Sequence, residues 1–278
     1  MKIGFNQATT MKYSTLEKDL TFCEKYGYDY IEVRLDKLRD YLQTKTVDDL
    51  VQYFATHNIK PYSFNALEFI TFRDEAGYAQ IKSDLAFLCD VGQKIACKKI
   101  IIVPTFDIGD YTTAQIKEES VRVINDMADY AEPFGMQLAF EFVGYPQCSV
   151  NTFAQAYDIV EAVNRDSVGV VLDCFHFHAM NSHIEDLKKA DPKKIAILHL
   201  DDSEDYPVGA LRDDKRVWPG DGVVDLDAIF SAIKEIGYDE LASLELFRPE
   251  YYEMDIEEVI RIGKEKTVKV VEKYFPIG

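Results

Sequence analysis

Disulfides, membrane spans and phosphate grips are all missing from this chain of 278 residues. Its five cysteines, Cys23, Cys89, Cys97, Cys148 and Cys174, are odd in number and contain no Cys-x-x-Cys pair, which argues against a disulfide framework and for free thiols in a reducing compartment. No apolar run approaches the roughly 20 residues of a membrane span, and the opening MKIGFNQATT has no signal-peptide core, so a cytoplasmic protein is expected. Basic stripes are absent and the net charge is −18, which disfavours nucleic acid or any partner gripped through its phosphates. The lack of a Gly-rich phosphate loop agrees with an unphosphorylated, uncharged substrate. No Pro-rich linker or low-complexity tract divides the chain, so residues 1–278 are expected to form a single domain.

What is present is an alternation of strand and helix patterns. Eight apolar segments read as strands: KIGFNQ from Lys2, YIEVR from Tyr30, PYSFNA from Pro61, KIIIVPT from Lys99, QLAFEF from Gln137, VGVVLDC from Val168, IAILHL from Ile195 and LASLELF from Leu241. Several are unbroken Ala/Val/Ile/Leu runs without polar alternation, the mark of strands covered on both faces. Amphipathic stretches lie between them. Asn151 and Asp225 are candidate helix N-caps, and Gly27, Gly135 and Gly237 fall where helices should stop. The segments KYGYDYIEVR and EIGYDELASLEL share a Gly-Tyr-Asp turn leading into a strand that contains a glutamate. Eight such units predict an α/β fold, a (β/α)8 TIM barrel. The polar stretch from Asp201 to Gly222 is too long for a simple connection and follows the seventh strand on the face where barrel active sites lie.

Glu141, Asp173, His199 and Glu245 each occupy the end of one of four successive strands. An acid within an apolar strand end is costly unless paired, protonated or bound to a metal, and three of them with a histidine in neighbouring units point to one divalent ion. Three carboxylates and one imidazole suit Mn2+ foremost, with Mg2+, Zn2+ or Co2+ also accommodated. Beyond Asp173, His176 needs a bend in the chain to reach the same pocket, where it would contact substrate; His178 is the weaker candidate. Arg216 could donate to substrate oxygens and Trp218 could lie against a sugar-like ring, the alternative being a Trp that anchors the loop. Cys174, one step from Asp173, should point away from the pocket, toward the helices, as a small buried residue.

These strand-end residues, the Asp-x-x-His element DCFH and the R-x-x-P-G-x-G segment from Arg216 to Gly222 resemble the xylose-isomerase-like sugar isomerases and epimerases. The longer strings FNQATT, EKYGYDYIEVR, EFVGYPQCSVNTFAQAY, LDCFHFHAM, RVWPGDG and SLELFRPEYY are similar, more narrowly, to the inosose isomerase family of bacterial inositol catabolism. The resemblance implies Glu141, Asp173, His199 and Glu245 as metal ligands, Glu141 and Glu245 as proton carriers, and His176 and Arg216 as substrate contacts. It implies interconversion of 2-keto-myo-inositol and 1-keto-D-chiro-inositol by proton transfer through an enediolate. The implied partner is a small polyol ketone, with no nucleic acid and no membrane; assembly as a homo-oligomer is left open. A ketose 3-epimerase on the same barrel is the nearest alternative and a non-catalytic sugar-binding barrel a further one. An abasic-site nuclease is remote, because five histidines and a charge of −18 do not suit a multi-zinc DNA enzyme.

Overall fold

The computed structural model describes residues 1–277. Strands and helices follow in the order β1 (Lys2–Asn6), α1 (Leu16–Lys25), β2 (Tyr30–Arg34), α2 (Leu35–Tyr41), α3 (Val47–Thr56), β3 (Lys60–Leu67), α4 (Glu75–Ile95), β4 (Lys99–Ile102), α5 (Thr113–Ala131), β5 (Gln137–Glu141), α6 (Phe153–Val163), β6 (Val168–Asp173), α7 (Cys174–Ala179), α8 (Ile184–Leu187), β7 (Ile195–Leu200), β8 (Asp202–Ser203), β9 (Arg216–Val217), α9 (Leu226–Ile236), β10 (Leu241–Leu244), α10 (Pro249–Tyr252) and α11 (Ile256–Val271). Strands β1 to β7 and β10 pair in parallel and close into a barrel, β10 returning to β1. All eight anticipated strands are there. Of the two anticipated caps, Asp225 accepts from Ala228 N, whereas for α6 the cap is Thr152 rather than Asn151, its hydroxyl accepting from Gln155 N. The glycine at 237 takes φ +87, a left-handed stop that closes α9.

Strand alternation divides the apolar residues into two cores. Residues facing the helices, such as Ile3, Phe5, Ile31, Phe64, Ile100, Leu138, Phe140, Val170 and Leu198, join the helices in one large cluster. Inside the barrel, Ile101, Ala139, Val171 and Ile197 pack together on β4 to β7. The opposite half of the interior is polar. Asn6, Glu32, Ser63 and Asn65 on β1 to β3, with Ser243 on β10, are all buried there. Gly4 makes room for this half, since a Cβ there would meet Ser243 Oγ at 2.9 Å.

The stretch from Asp201 to Gly222 is more ordered than its polar composition suggests. Strands β8 and β9 pair antiparallel within it, and Asp202 gathers the rest. Asp202 Oδ1 accepts from Ser203 N and Val224 N at 2.8 and 2.9 Å, and Oδ2 from Gly220 N and Gly222 N, both at 3.0 Å. Gly222 is obligatory there because a Cβ would lie 2.3 Å from Ser203 O. Among the described residues no helix is long and apolar enough to cross a membrane.

Candidate metal centre and active site

The barrel brings Glu141, Asp173, His199 and Glu245 together at its carboxyl rim, all four buried, with one ligand atom of each within 4.8 Å of the others. The register accounts for this: Asp173 on β6 lies opposite His199 on β7, which lies opposite Ser243, two residues before Glu245. His199 Nδ1 stands 2.9 Å from Glu141 Oε1, 3.1 Å from Glu245 Oε2 and 3.8 Å from Asp173 Oδ2. One imidazole nitrogen and three carboxylates converging on so small a volume form a donor set that a divalent ion fits, in charge and in ligand type.

The electrostatics show the same crowding. Burial pushes the Glu141 carboxyl up, and Glu245 and Asp173 add to it against the opposing pull of His199, so that it reaches about 8. Asp173 goes the other way: burial would raise it, but Arg216, His176 and His199 outweigh burial and hold it at about 2. Burial alone would lower His199; Glu245, Glu32 and Glu141 overcome it and hold the imidazole well above its usual range. Glu141 and His199 thus hold protons beside an ionised Asp173.

The two glutamates are not equivalent. Glu245 Oε1 accepts from Asn6 Nδ2 and from Asn65 Nδ2, both at 2.8 Å, while Oε2 faces His199 and lies 3.3 Å from Arg216 NH1. Glu141 makes one polar contact among the described residues, from Oε1 to His199. Its second oxygen is open.

His176 reaches the site because the chain bends where a helix starts. Asp173 is both the end of β6 and the N-cap of α7, accepting from His176 N at 2.6 Å. The His176 Nε2 then meets Arg216 NH2 at 3.0 Å, while its buried Nδ1 has no partner among the described residues. Burial, opposed by Asp173, lowers its pKa and favours the neutral ring. Arg216, itself fully buried, is tied by Nε to Asp213 Oδ1 at 2.9 Å and by NH1 to Asp173 Oδ2 at 2.8 Å, and it also pairs with Asp201. Its guanidinium lies between the rings of Phe175 and Phe247, 4.9 and 5.1 Å from their centroids.

Other expectations resolve differently. Trp218 does not join these residues: it is 7% exposed, packs into the large core cluster and stacks on Tyr251 with centroids 4.2 Å apart. Just past β9, the indole packs against α11, where a Cβ on Gly263 would approach it to 3.4 Å. His178 stays outside the cluster, half-buried beside Asn181 and Asp225. Cys174 is fully buried, as its position after Asp173 implied, and all five cysteines are free. Sequence reasoning passed over Asn6, Glu32, Asn65 and Asp201. Glu32 and Asp201 carry the signal used for the other acids, a carboxylate in or beside an apolar strand; the asparagines carry none.

Comparison with known proteins follows the same lines. Residues 20–266 match the xylose isomerase-like TIM barrel profile, and the chain belongs to that family. It is 53% identical over 276 residues to an inosose isomerase of Bacillus velezensis, covering 99% of each chain. A solved structure of the IolI protein with a bound zinc atom superposes with a TM-score of 0.98 at 52% identity, covering 100% of each chain. Within the family, the inosose isomerases are therefore its branch. An L-ribulose 3-epimerase of Methylomonas is far more distant, 24% identical over 84% of this chain and 79% of its own.

Proposed function

We propose that the protein is an isomerase that interconverts 2-keto-myo-inositol and 1-keto-D-chiro-inositol, with Glu141, Asp173, His199 and Glu245 holding one divalent ion. Three carboxylates and one imidazole suit manganese best, and zinc, carried by the related IolI structure, is the ion to test beside it. Such an ion supplies positive charge beside the substrate oxygens, where negative charge develops as the neighbouring C–H is deprotonated.

The chain's own residues supply the proton transfers. A ketone and the adjacent hydroxyl exchange places when one proton leaves the carbinol carbon for the former carbonyl carbon and another moves from oxygen to oxygen. Glu141, with an open oxygen, removes the carbon proton and returns it to the neighbouring carbon of the enediolate on the same face. Glu245, whose Oε1 is held by Asn6 and Asn65, serves as a fixed anion. Arg216 and His176 sit together beside Asp173; because the guanidinium can only donate to His176 Nε2, the neutral ring bears its proton on the unpartnered Nδ1, which can donate a hydrogen bond to a substrate oxygen while the hydroxyl proton passes directly between the adjacent oxygens.

The inequality of the two glutamates is the observation that carries this reading beyond family membership. A 3-epimerase works on one carbon from both faces and needs two free bases; a ketone transposition along one face needs one. Glu141→Gln should lower kcat for the inosose by about 10²- to 10⁴-fold, the range for loss of a general base. Assayed against inososes and free ketohexoses in parallel, the parent enzyme should turn over the inosose preferentially. Preference for a ketohexose, or a Glu141→Gln enzyme of parental kcat, would contradict the reading.

A further inference from the structure

Glu32 lies in the middle of β2, fully buried inside the barrel, and the reaction as described gives it no role. A carboxylate in such a place requires partners. It has three: Ser63 Oγ donates to Oε2 at 2.6 Å, Asn6 Nδ2 donates to Oε1 at 3.3 Å, and both oxygens flank His199 Nε2 at 3.2 and 3.3 Å. Neither Ser63 nor Asn6 is charged, so the imidazole is its ionic partner.

A carboxylate can only accept, so the nitrogen facing Glu32 must carry a proton. That leaves Nδ1, which is the nitrogen turned toward Glu141, Glu245 and Asp173. The platform that holds Glu32 is itself fixed. Asn6 Oδ1 accepts from Ala8 N at 2.9 Å, which turns its amide nitrogen toward Glu32 and Glu245 together.

We infer that Glu32 is a positioning residue for the metal centre: by holding the proton on His199 Nε2 it presents a bare Nδ1 to the ion, and through Asn6 it couples that choice to the placement of Glu245. Carboxylates behind ligating histidines act in this way in metal sites generally, and their loss typically weakens binding by about 10- to 100-fold. The inference rests on the assignment of His199 as a ligand, and the test separates the two.

The protein, with its histidines labelled with ¹⁵N, is followed by long-range ¹H–¹⁵N correlation before and after zinc is added. The expected result is zinc at Nδ1 of His199 with a retained proton on Nε2. Zinc at Nε2 would overturn the role given to Glu32 alone, whereas no response of either nitrogen would overturn the ligand assignment and the inference with it. Glu32→Gln should weaken zinc binding by about 10- to 100-fold in competition with a chelator. A variant that melts at lower temperature but binds zinc with parental affinity would reduce Glu32 to a structural residue and contradict the inference.

Discussion

Glu141 and His199 hold protons that an incoming ion must displace, so proton release and metal uptake are one event. The Glu141 carboxyl, pushed up to about 8 chiefly by burial, and the His199 imidazole, held well above its usual range against burial by Glu245, Glu32 and Glu141, both lie above their unfolded values. Each therefore contributes stability to the metal-free protein that is full below its unfolded pKa and is lost as pH climbs toward the folded one. The sign for Asp173 is opposite, but its window lies in acid, below the usual carboxylate range. Between pH 5 and 9 the metal-free protein should lose stability while zinc binding tightens, about tenfold per pH unit for each proton released. Melting curves of chelated and zinc-loaded protein across that range check this: the gap between them should widen with pH, and a constant gap would mean that the acids are not displaced. Arg216 allows a second prediction at this scale. Its partners Asp173 and Glu245 are themselves candidate ligands, so Arg216→Ala leaves buried carboxylates without their cation. A loss of about 3–5 kcal/mol in stability is expected, with weaker catalysis and altered metal affinity together. Titration of zinc into the variant, beside a denaturant melt, measures both.

Strands were the most legible elements. A parallel strand covered on both faces must be apolar throughout, and the runs from Tyr30 and Ile195 coincide with β2 and β7 residue for residue. The four acidic or imidazole strand ends were legible for the converse reason, since their cost in such a setting demands a compensating ion or partner. Asn6, Ser63 and Asn65 were not, because an uncharged polar residue in a strand satisfies itself cheaply and leaves no pattern. The glutamate in KYGYDYIEVR was visible as an echo of the last strand, yet its use depends on where β2 faces, which only barrel closure decides. Trp218 shows the same limit in a loop: composition gives an amphipathic ring, and packing against Tyr251 decides which side it takes. The element carrying that loop rests on Asp202, whose two oxygens serve four backbone N–H groups. Asp202→Ala should lower stability by about 3 kcal/mol or more, charged hydrogen bonds contributing roughly 1.5–3 kcal/mol each before water replaces some of them. It should also open the 201–222 stretch to proteolysis and, by freeing β9, weaken the hold on Arg216. Parental protease resistance would show that the loop has another support.

At the scale of the whole molecule, the barrel interior is divided. An apolar half on β4 to β7 gives Glu141, Asp173 and His199 a dry, rigid base, and a polar half on β1 to β3 and β10 fixes Glu245 and backs His199. This division leaves the two glutamates with different partners, and the proposed reaction uses the difference: one base with an open oxygen, one face, two neighbouring carbons. The direct measurement is ¹H NMR of 2-keto-myo-inositol incubated in D2O with the metal-loaded enzyme. The expected product is 1-keto-D-chiro-inositol, which gains solvent deuterium at the carbon that changes from carbonyl to carbinol as the proton held on Glu141 exchanges between its removal and its return. Product that gains no solvent deuterium even at long incubation, the result of a hydride shift, or an inosose left unchanged while a ketohexose is epimerised at C3, would contradict the proposed reaction.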